Sequence, residues 1–192
     1  MRTCSAKLSA GPMNIDIVPD PARALAVVGD SHVHADSFAR KAARRLGWDL
    51  VGEGVPGAGI DGALIQAGAL PPALTVILSV GTNELGNAPW DGVERMGDRY
   101  SEILACLKGR RVFCVTIIPF QNMHEDHVVR SMNWIIRREA ARAESEVFDA
   151  YDHLMSSSGR VHAPVDYRDT LHMSDRGNEY LSSLLAYQIK TS

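Results

Sequence analysis

The run of residues 74–80 is the sequence feature that most constrains the fold. It reads Leu-Thr-Val-Ile-Leu-Ser-Val, which is almost entirely apolar or β-branched and shows no alternation of polar and apolar positions. Such a run is typical of a strand covered on both faces, as in a parallel sheet. Pro71 and Pro72 precede it and Gly81 follows it, so its ends are well marked. We therefore expect the central strand of an α/β domain here.

Further strands and helices alternate on either side of this run. Apolar runs predict strands at residues 24–28, 48–51, 112–118 and 147–150, and helical spacing predicts helices at 35–46, 60–69, 93–107, 128–140 and after an N-cap at Ser174. Strands that alternate with helices indicate one α/β domain. We expect three α/β/α layers around a doubly wound, five-stranded parallel sheet at residues 23–192. Residues 1–22 are predicted to be a partly ordered leader.

Composition and charge exclude several classes of function. The net charge of −3 leaves no basic footprint for nucleic acid. No stretch approaches the roughly 20 apolar residues of a membrane span. The leader lacks an apolar h-region, so we expect a cytoplasmic protein or one released without a standard signal peptide. Cys4, Cys106 and Cys114 have no metal-ligand spacing, and the last two are predicted to be buried free thiols. No pattern specifies an oligomeric state.

Polar residues and glycines follow three of the predicted strands. Ser31 follows the first strand in Gly29-Asp30-Ser31, Gly57 lies in a glycine-rich loop after the second, and Asn83 follows the central strand. In open parallel sheets, ligands bind outside the carboxyl ends of the strands. Ser31 would lie there beside unpaired backbone N–H groups that can hold negative charge. A serine in this place also fits a simple helix cap, and so does Asn83.

Asp169 and His172 supply the groups that would activate such a serine. Their spacing allows Asp169 to accept a hydrogen bond from Nδ1–H of His172, which leaves Nε2 basic. Nε2 can then take the hydroxyl proton of Ser31. The backbone N–H groups of Ser31 and Gly57 and the side-chain amide of Asn83 would converge on the oxyanion.

Together these motifs resemble those of the SGNH (GDSL-type) hydrolases. The four blocks are Gly29-Asp30-Ser31, a glycine in the loop at 54–57, Gly81-Thr82-Asn83, and Asp169-x-x-His172, and the resemblance spans residues 27 to about 185. It implies a flavodoxin-like fold, a triad of Ser31, His172 and Asp169, and an oxyanion hole of Ser31, Gly57 and Asn83. It also implies that no cofactor is needed, and that acyl groups on lipids, sugars or aryl alcohols are cleaved or transferred.

Two positions depart from the family pattern. His32 stands where a leucine usually follows Gly-Asp-Ser, and we expect its side chain to point into the first helix rather than into the site. Gly59 stands where a threonine or serine often follows the second block. Gly54 and Gly59 therefore remain alternatives to Gly57 as the oxyanion donor.

The resemblance favours a serine esterase acting on short acyl esters of small molecules or glycans, with O-acetyl groups on carbohydrate as the first candidate. A chain of 192 residues leaves little room for a cap domain, so an open site is expected. Glu84 and Trp90 are candidates to line the substrate pocket. A lysophospholipase, an aryl esterase and an acyltransferase are alternatives on the same site. A non-catalytic carbohydrate-binding or assembly module with a relict site is the alternative of another class.

Other assignments compete for the same residues. Asp30-Ser31-His32 mimics the Asp-x-His motif of metallophosphoesterases, but the Gly-Asp and Asn-His motifs they need are missing. The Gly-x-Ser-x-Gly elbow of α/β-hydrolases is absent because Val33 replaces its second glycine. Asp30 is expected to hydrogen-bond the elbow backbone. The cluster at residues 124–127, which holds two histidines and two acids, is interpreted as a solvated face rather than a metal site, and no metal is expected. We assign His34, His153 and His162 to loops or the surface.

Overall fold

The structure is a computed structural model that describes residues 20–85, 89–119, 126–155, 167–169 and 171–192. Within these ranges, five strands form one sheet, all parallel, in the order β2-β1-β3-β4-β5. The strands are β1 (Ala24–Gly29), β2 (Asp49–Val51), β3 (Thr75–Ser79), β4 (Arg111–Val115) and β5 (Glu146–Phe148). This is the doubly wound, five-stranded sheet that the sequence predicts, with β3 at its centre.

In the described ranges, six α-helices connect and cover the strands. They are α1 (Phe38–Leu46), α2 (Ile60–Gly68), α3 (Pro89–Cys106), α4 (Asp126–Arg142), α5 (Ala150–Leu154) and α6 (Asp175–Thr191). Ser174 caps α6, as predicted, because its side chain accepts a hydrogen bond from the Gly177 N–H. No helix in the described ranges is both long and apolar enough to span a membrane.

Alternate residues of the strands feed two separate cores. On one face, Leu25 and Val27 of β1 pack with apolar residues of α1 and α6. On the other face, Ala26 and Val28 of the same strand pack with α2, α3 and α4. Strand residues that are apolar on both faces are what a sheet between two helical layers requires. The three-layer α/β/α arrangement is therefore confirmed.

The strand order reverses beside β1, and this point positions the site. Strand β1 is followed in sequence by β2 on one side, whereas β3 lies on its other side. Beyond the end of β2, the backbone of Gly29 bonds to the side chain of Gln66 instead of to a neighbouring strand on that side. The Gly29 N–H donates to Oε1 of Gln66, and Nε2 of Gln66 donates to the Gly29 carbonyl, both at 3.0 Å. The carboxyl ends of β1 and β3 thus open onto the crevice where ligands bind in sheets of this kind.

The structure corrects three details of the sequence reading. Helix α1 begins at Phe38 instead of residue 35, because Ala35 has a φ of 47° and Ser37 is extended as the N-cap. The last strand stops at Phe148, and Ala150 instead opens the short helix α5. Cys106 is exposed, contrary to expectation, whereas Cys114 is a buried free thiol as predicted. The leader lies outside the described residues up to position 19.

Candidate active site

The elbow after β1 presents Ser31 without using its hydroxyl as a cap. Asp30 is extended and caps a single 3₁₀ turn, Ser31–Val33, by accepting a hydrogen bond from the His32 N–H at 2.9 Å. The backbone N–H of Asp30 donates to the carbonyl of Ser79 at the end of β3, at 3.2 Å. The structural role expected for Asp30 is confirmed, and the Ser31 hydroxyl is left available for chemistry.

Ser31, His172 and Asp169 form a continuous hydrogen-bonded chain. Nε2 of His172 lies 2.9 Å from Oγ of Ser31, and Nδ1 lies 2.9 Å from Oδ2 of Asp169. The backbone N–H groups of His172 and Leu171 both donate to Oδ1 of Asp169 at 2.7 Å. These hydrogen bonds hold the pKa of Asp169 well below its usual range. An ionised Asp169 accepts from Nδ1–H, so Nε2 carries the lone pair that faces Ser31.

The segment that carries His172 is tied down on both sides. Tyr167 and Met173 form an isolated antiparallel bridge, and the Arg168 N–H donates to the His172 carbonyl at 2.9 Å. Helix α6 then starts immediately after the bridge. Its Asn178 accepts from the Phe38 N–H at 2.8 Å, which joins α6 to the first turn of α1. The short loop is thereby held against the elbow that bears Ser31.

The loop after β2 turns at Gly57, which has a φ of +77°. The Ala58 N–H closes this turn on the Val55 carbonyl at 2.9 Å. The Asn83 side chain reaches the same loop, and its Nδ2 donates to the Ala58 carbonyl at 2.9 Å. An amide nitrogen has two hydrogens, so one remains available. The Gly57 N–H also has no hydrogen-bond partner within the described part of the chain.

The two alternative glycines have other tasks. The Gly54 N–H donates to the Val33 carbonyl at 3.3 Å, and a Cβ on Gly54 would overlap the Asp30 carbonyl. Gly54 is thus a point of close backbone approach under the elbow. Gly59 is the N-cap of α2. The Gly54 N–H is therefore occupied, whereas the N–H groups of Gly57 and Gly59 have no hydrogen-bond partner in the described part of the chain.

A cavity of about 380 Å³ lies against Ser31 and His172. Polar or charged side chains supply nine of its twelve lining residues, and Ala35, Pro56 and Met173 supply the rest. His34 also lines it and is held there by a 2.9 Å contact between its Nδ1 and the Gly54 carbonyl. The cavity therefore brings several hydrogen-bonding side chains close to Ser31.

His32 lies elsewhere than expected. Its side chain is buried, lines the cavity, and packs its ring against that of His172, with the centroids 5.5 Å apart. Burial lowers the pKa of His32 to about 4, so the ring is neutral at ordinary pH. The expectation that His32 points away from the site is wrong. A polar residue at a family leucine position is the only signal in the sequence that marks it.

Glu84 and Trp90, the two candidate pocket residues, do not belong to the described lining of this cavity. Glu84 instead accepts a hydrogen bond from the Ile60 N–H at 2.5 Å, at the start of α2. It lines a separate cavity of about 250 Å³ together with Asp61 and Arg95. Trp90 belongs to α3, but its side chain lies outside the described residues, so its predicted contact with substrate stays a prediction.

In the parts of the chain that the structure describes, no group of three or more His, Cys, Asp or Glu side chains is placed to hold a metal ion. His124 and Glu125 of the acidic and histidine-rich cluster lie outside the described residues, as does His162. His153 packs its ring against Phe148, with the centroids 5.4 Å apart.

The fold and the site define an α/β/α protein with a serine, a histidine and an aspartate joined at the carboxyl edge of its sheet. Residues 25–180 match the model of the GDSL-like lipase/acylhydrolase family. The chain belongs to this family, and it is a carboxylic ester hydrolase. No curated protein matches the sequence.

Solved structures with the same fold are distant in sequence. A member of the lipolytic G-D-S-L family from Veillonella parvula is 16% identical with a TM-score of 0.71, over 88% of this chain and 99% of the other. A carbohydrate acetylesterase from Sinorhizobium meliloti is 18% identical with a TM-score of 0.65, over 88% and 98%. An aryl esterase from M. smegmatis is 16% identical with a TM-score of 0.66, over 88% and 99%. At these identities the likeness establishes the fold alone.

Proposed function

We propose that this protein is a serine esterase that removes short acyl groups, and that O-acetyl groups on carbohydrate are its substrate class. The observation that carries the proposal is the pair of 2.9 Å contacts from His172, one to Oγ of Ser31 and one to the Asp169 carboxylate. A nucleophile and a base within hydrogen-bonding distance, with the base oriented by a third group, is the arrangement that acyl transfer needs.

The reaction begins when Ser31 attacks the ester carbonyl and His172 takes the hydroxyl proton at Nε2. Asp169 stabilises the imidazolium that forms. His172 then gives the proton to the departing alcohol, and the acyl group remains on Ser31 as an ester. Water, deprotonated by His172, attacks this acyl-enzyme, and His172 returns the proton to Oγ of Ser31 as the carboxylic acid leaves. The same sequence with an acceptor alcohol in place of water would give acyl transfer.

The negative charge on the tetrahedral intermediate needs donors at the same edge of the sheet. We assign this role to the backbone N–H groups of Ser31 and Gly57 and to the side-chain amide of Asn83. The free Gly57 N–H and the second Asn83 amide hydrogen support the assignment. Each such donor is worth roughly 10²- to 10³-fold in kcat.

The proposed substrate class rests on the walls of the cavity. Nine of the twelve lining residues are polar or charged, so a long acyl chain would find few wholly apolar residues to pack against. Sugar hydroxyls would instead find partners there, such as the side chains of His34 and Arg168. The carbohydrate acetylesterase from Sinorhizobium meliloti has the same fold, which is compatible with this choice.

The test is a series of p-nitrophenyl esters from acetyl to dodecanoyl, followed by acetylated oligosaccharides and a lysophospholipid. We expect kcat/KM to be highest for acetyl or propionyl esters and to fall at least about 10-fold by octanoyl. Acetate should be released from the oligosaccharides by the native enzyme but not by Ser31→Ala. Preference for dodecanoyl esters or lysophospholipid would overturn the substrate assignment and leave the serine mechanism in place.

A further inference from the structure

Two adjacent side chains, Asn83 and Glu84, grip the loop that bears Gly57. Both lie in the 3₁₀ turn Thr82–Leu85 that follows β3. Asn83 donates to the Ala58 carbonyl at 2.9 Å, and Glu84 accepts from the Ile60 N–H at 2.5 Å. The loop after β2 is thus anchored to the end of β3 immediately beyond the proposed oxyanion donor.

Gly57 depends on these anchors because packing does not hold it. A Cβ built on Gly57 would meet no atom within 4 Å, so the space on that side of the residue is open. An oxyanion donor must lie about 2.7–3.1 Å from the oxygen that it stabilises. A shift of about 1 Å in a reacting group can cost about 10²-fold in rate. The hydrogen bonds that fix residues 58–60 therefore have a direct consequence for the Gly57 N–H.

Glu84 is seated directly on Gly59. A Cβ on Gly59 would overlap Oε1 of Glu84, the same oxygen that accepts from the Ile60 N–H. A threonine or serine, the residues often found here in the family pattern, would force the carboxylate out of this seat. The glycine at position 59 and the glutamate at position 84 thus form a matched pair.

The position of the Glu84 carboxylate beside Ile60 is unfavourable for protein stability, which argues against a purely stabilising role. Glu84 is half-buried, burial raises its pKa, and its Oε2 is buried with no hydrogen-bond partner in the described part of the chain. A buried unpaired polar atom generally costs stability. Strained or costly arrangements persist where function requires them.

We propose that Glu84 is a positioning residue for ester hydrolysis, which holds the backbone of residues 58–60 so that the Gly57 N–H faces the developing oxyanion. This inference rests on the proposed function of the site. Glu84 does not line the cavity at Ser31, so this role requires no contact with substrate. Its effect belongs to the transition state, because the ester carbonyl oxygen gains its full negative charge only there.

The variant Glu84→Ala should lower kcat by about 10- to 100-fold while KM stays within about 3-fold, because an interaction made chiefly in the transition state is lost. Glu84→Gln keeps an oxygen that can accept from the Ile60 N–H, so it should retain most of the native kcat. The matched control is Asp61→Ala. Asp61 is also a carboxylate at the start of α2 and pairs with Arg95 and Arg99, but it has no hydrogen bond to residues 58–60. The Asp61→Ala variant should hydrolyse esters at the native rate.

Gly59→Ala provides an independent approach to the same contact. Its Cβ should displace the Glu84 carboxylate and lower kcat as far as Glu84→Ala does. The double variant should be no slower than either single one, since both remove one interaction. Circular dichroism identifies any variant that fails to fold, and if Glu84→Ala is one of them, Gly59→Ala compared with Glu84→Gln decides.

The inference is overturned if Glu84→Ala or Gly59→Ala, correctly folded, keeps the native kcat, or if folded Glu84→Gln is as slow as Glu84→Ala. Failure of the proposed function has a different signature. In that case the native enzyme itself would show no ester hydrolysis that Ser31→Ala abolishes, and the role assigned to Glu84 would fall with it.

Discussion

The ring of His32 lies against the ring of His172, with the centroids 5.5 Å apart and the planes inclined by 39°. The two residues belong to opposite ends of the chain, and the contact places a buried neutral imidazole behind the proposed base. Its Nε2 is buried without a hydrogen-bond partner in the described residues. Packing of this kind limits the orientations of His172 and favours the one that reaches Ser31.

Replacing His32 by leucine should change how stability depends on pH. The pKa of His32 is lowered from 6.5 to about 4 in the folded protein. Between these two pH values the imidazole is protonated in the unfolded chain but neutral in the folded protein, which favours unfolding. The free energy of unfolding of the native enzyme should therefore fall by up to about 3 kcal/mol because of His32 as the pH falls from 7 to 4. The His32→Leu variant should not show this part of the loss. Urea unfolding at pH 7, 5.5 and 4.5 measures the difference. Equal losses in both proteins would contradict it.

The effect of Asp30→Asn on stability should grow as the pH rises, whereas that of His32→Leu grows as the pH falls. Burial raises the pKa of Asp30 to about 6, so the folded protein binds a proton that the unfolded chain releases above about 3.8. The favourable contribution is fully present below pH 3.8 and is lost as the pH rises through 6. Asparagine keeps the oxygen that accepts from the His32 N–H but carries no charge. We expect a gain of up to about 3 kcal/mol at pH 8 and almost none near pH 4.

Much of this arrangement could be predicted from the sequence, because it depends on short segments. The apolar runs place the strands, and the spacing of Asp169 and His172 within one turn allows their hydrogen bond. The seat of Glu84 at Ile60 joins residues 24 positions apart. That contact, like the ring contact of His32, depends on the relative placement of separate loops, which periodicity does not encode. For the same reason the sequence predicts Glu84 in the substrate pocket, whereas the described lining of the cavity at Ser31 does not include it.

Asp169→Asn tests the orientation of the base. An asparagine amide can present its NH₂ group to Nδ1 of His172, which favours the tautomer whose Nε2 carries the proton and cannot accept one from Ser31. We expect kcat to fall by up to about 10⁴-fold with the fold intact. Stopped-flow or steady-state hydrolysis of an acetyl ester gives the rate. An unchanged rate would mean that another carboxylate orients His172.

Asn83→Ala tests the side-chain oxyanion donor. Asn83 is more than a simple helix cap, because its side-chain amide donates to the Ala58 carbonyl. We expect at least about a 10²-fold loss of kcat. The lost hydrogen bond should also lower the free energy of unfolding by about 1 kcal/mol. Asn83→Asp should be at least as slow, since its carboxylate faces the oxyanion. A variant with full kcat and only reduced stability would restrict Asn83 to a structural role.

The central claim is that Ser31 is the nucleophile, and its most direct test is covalent labelling. The intact protein is treated with a fluorophosphonate that reacts with activated serines, and the adduct is located by mass spectrometry of its peptides. We expect one adduct per chain, on Ser31, with loss of ester hydrolysis in proportion to labelling. Ser31→Ala should take up no label and hydrolyse at least about 10⁴-fold more slowly while it remains folded. Label on another residue, or a Ser31→Ala variant that keeps most of the native activity, would contradict the claim.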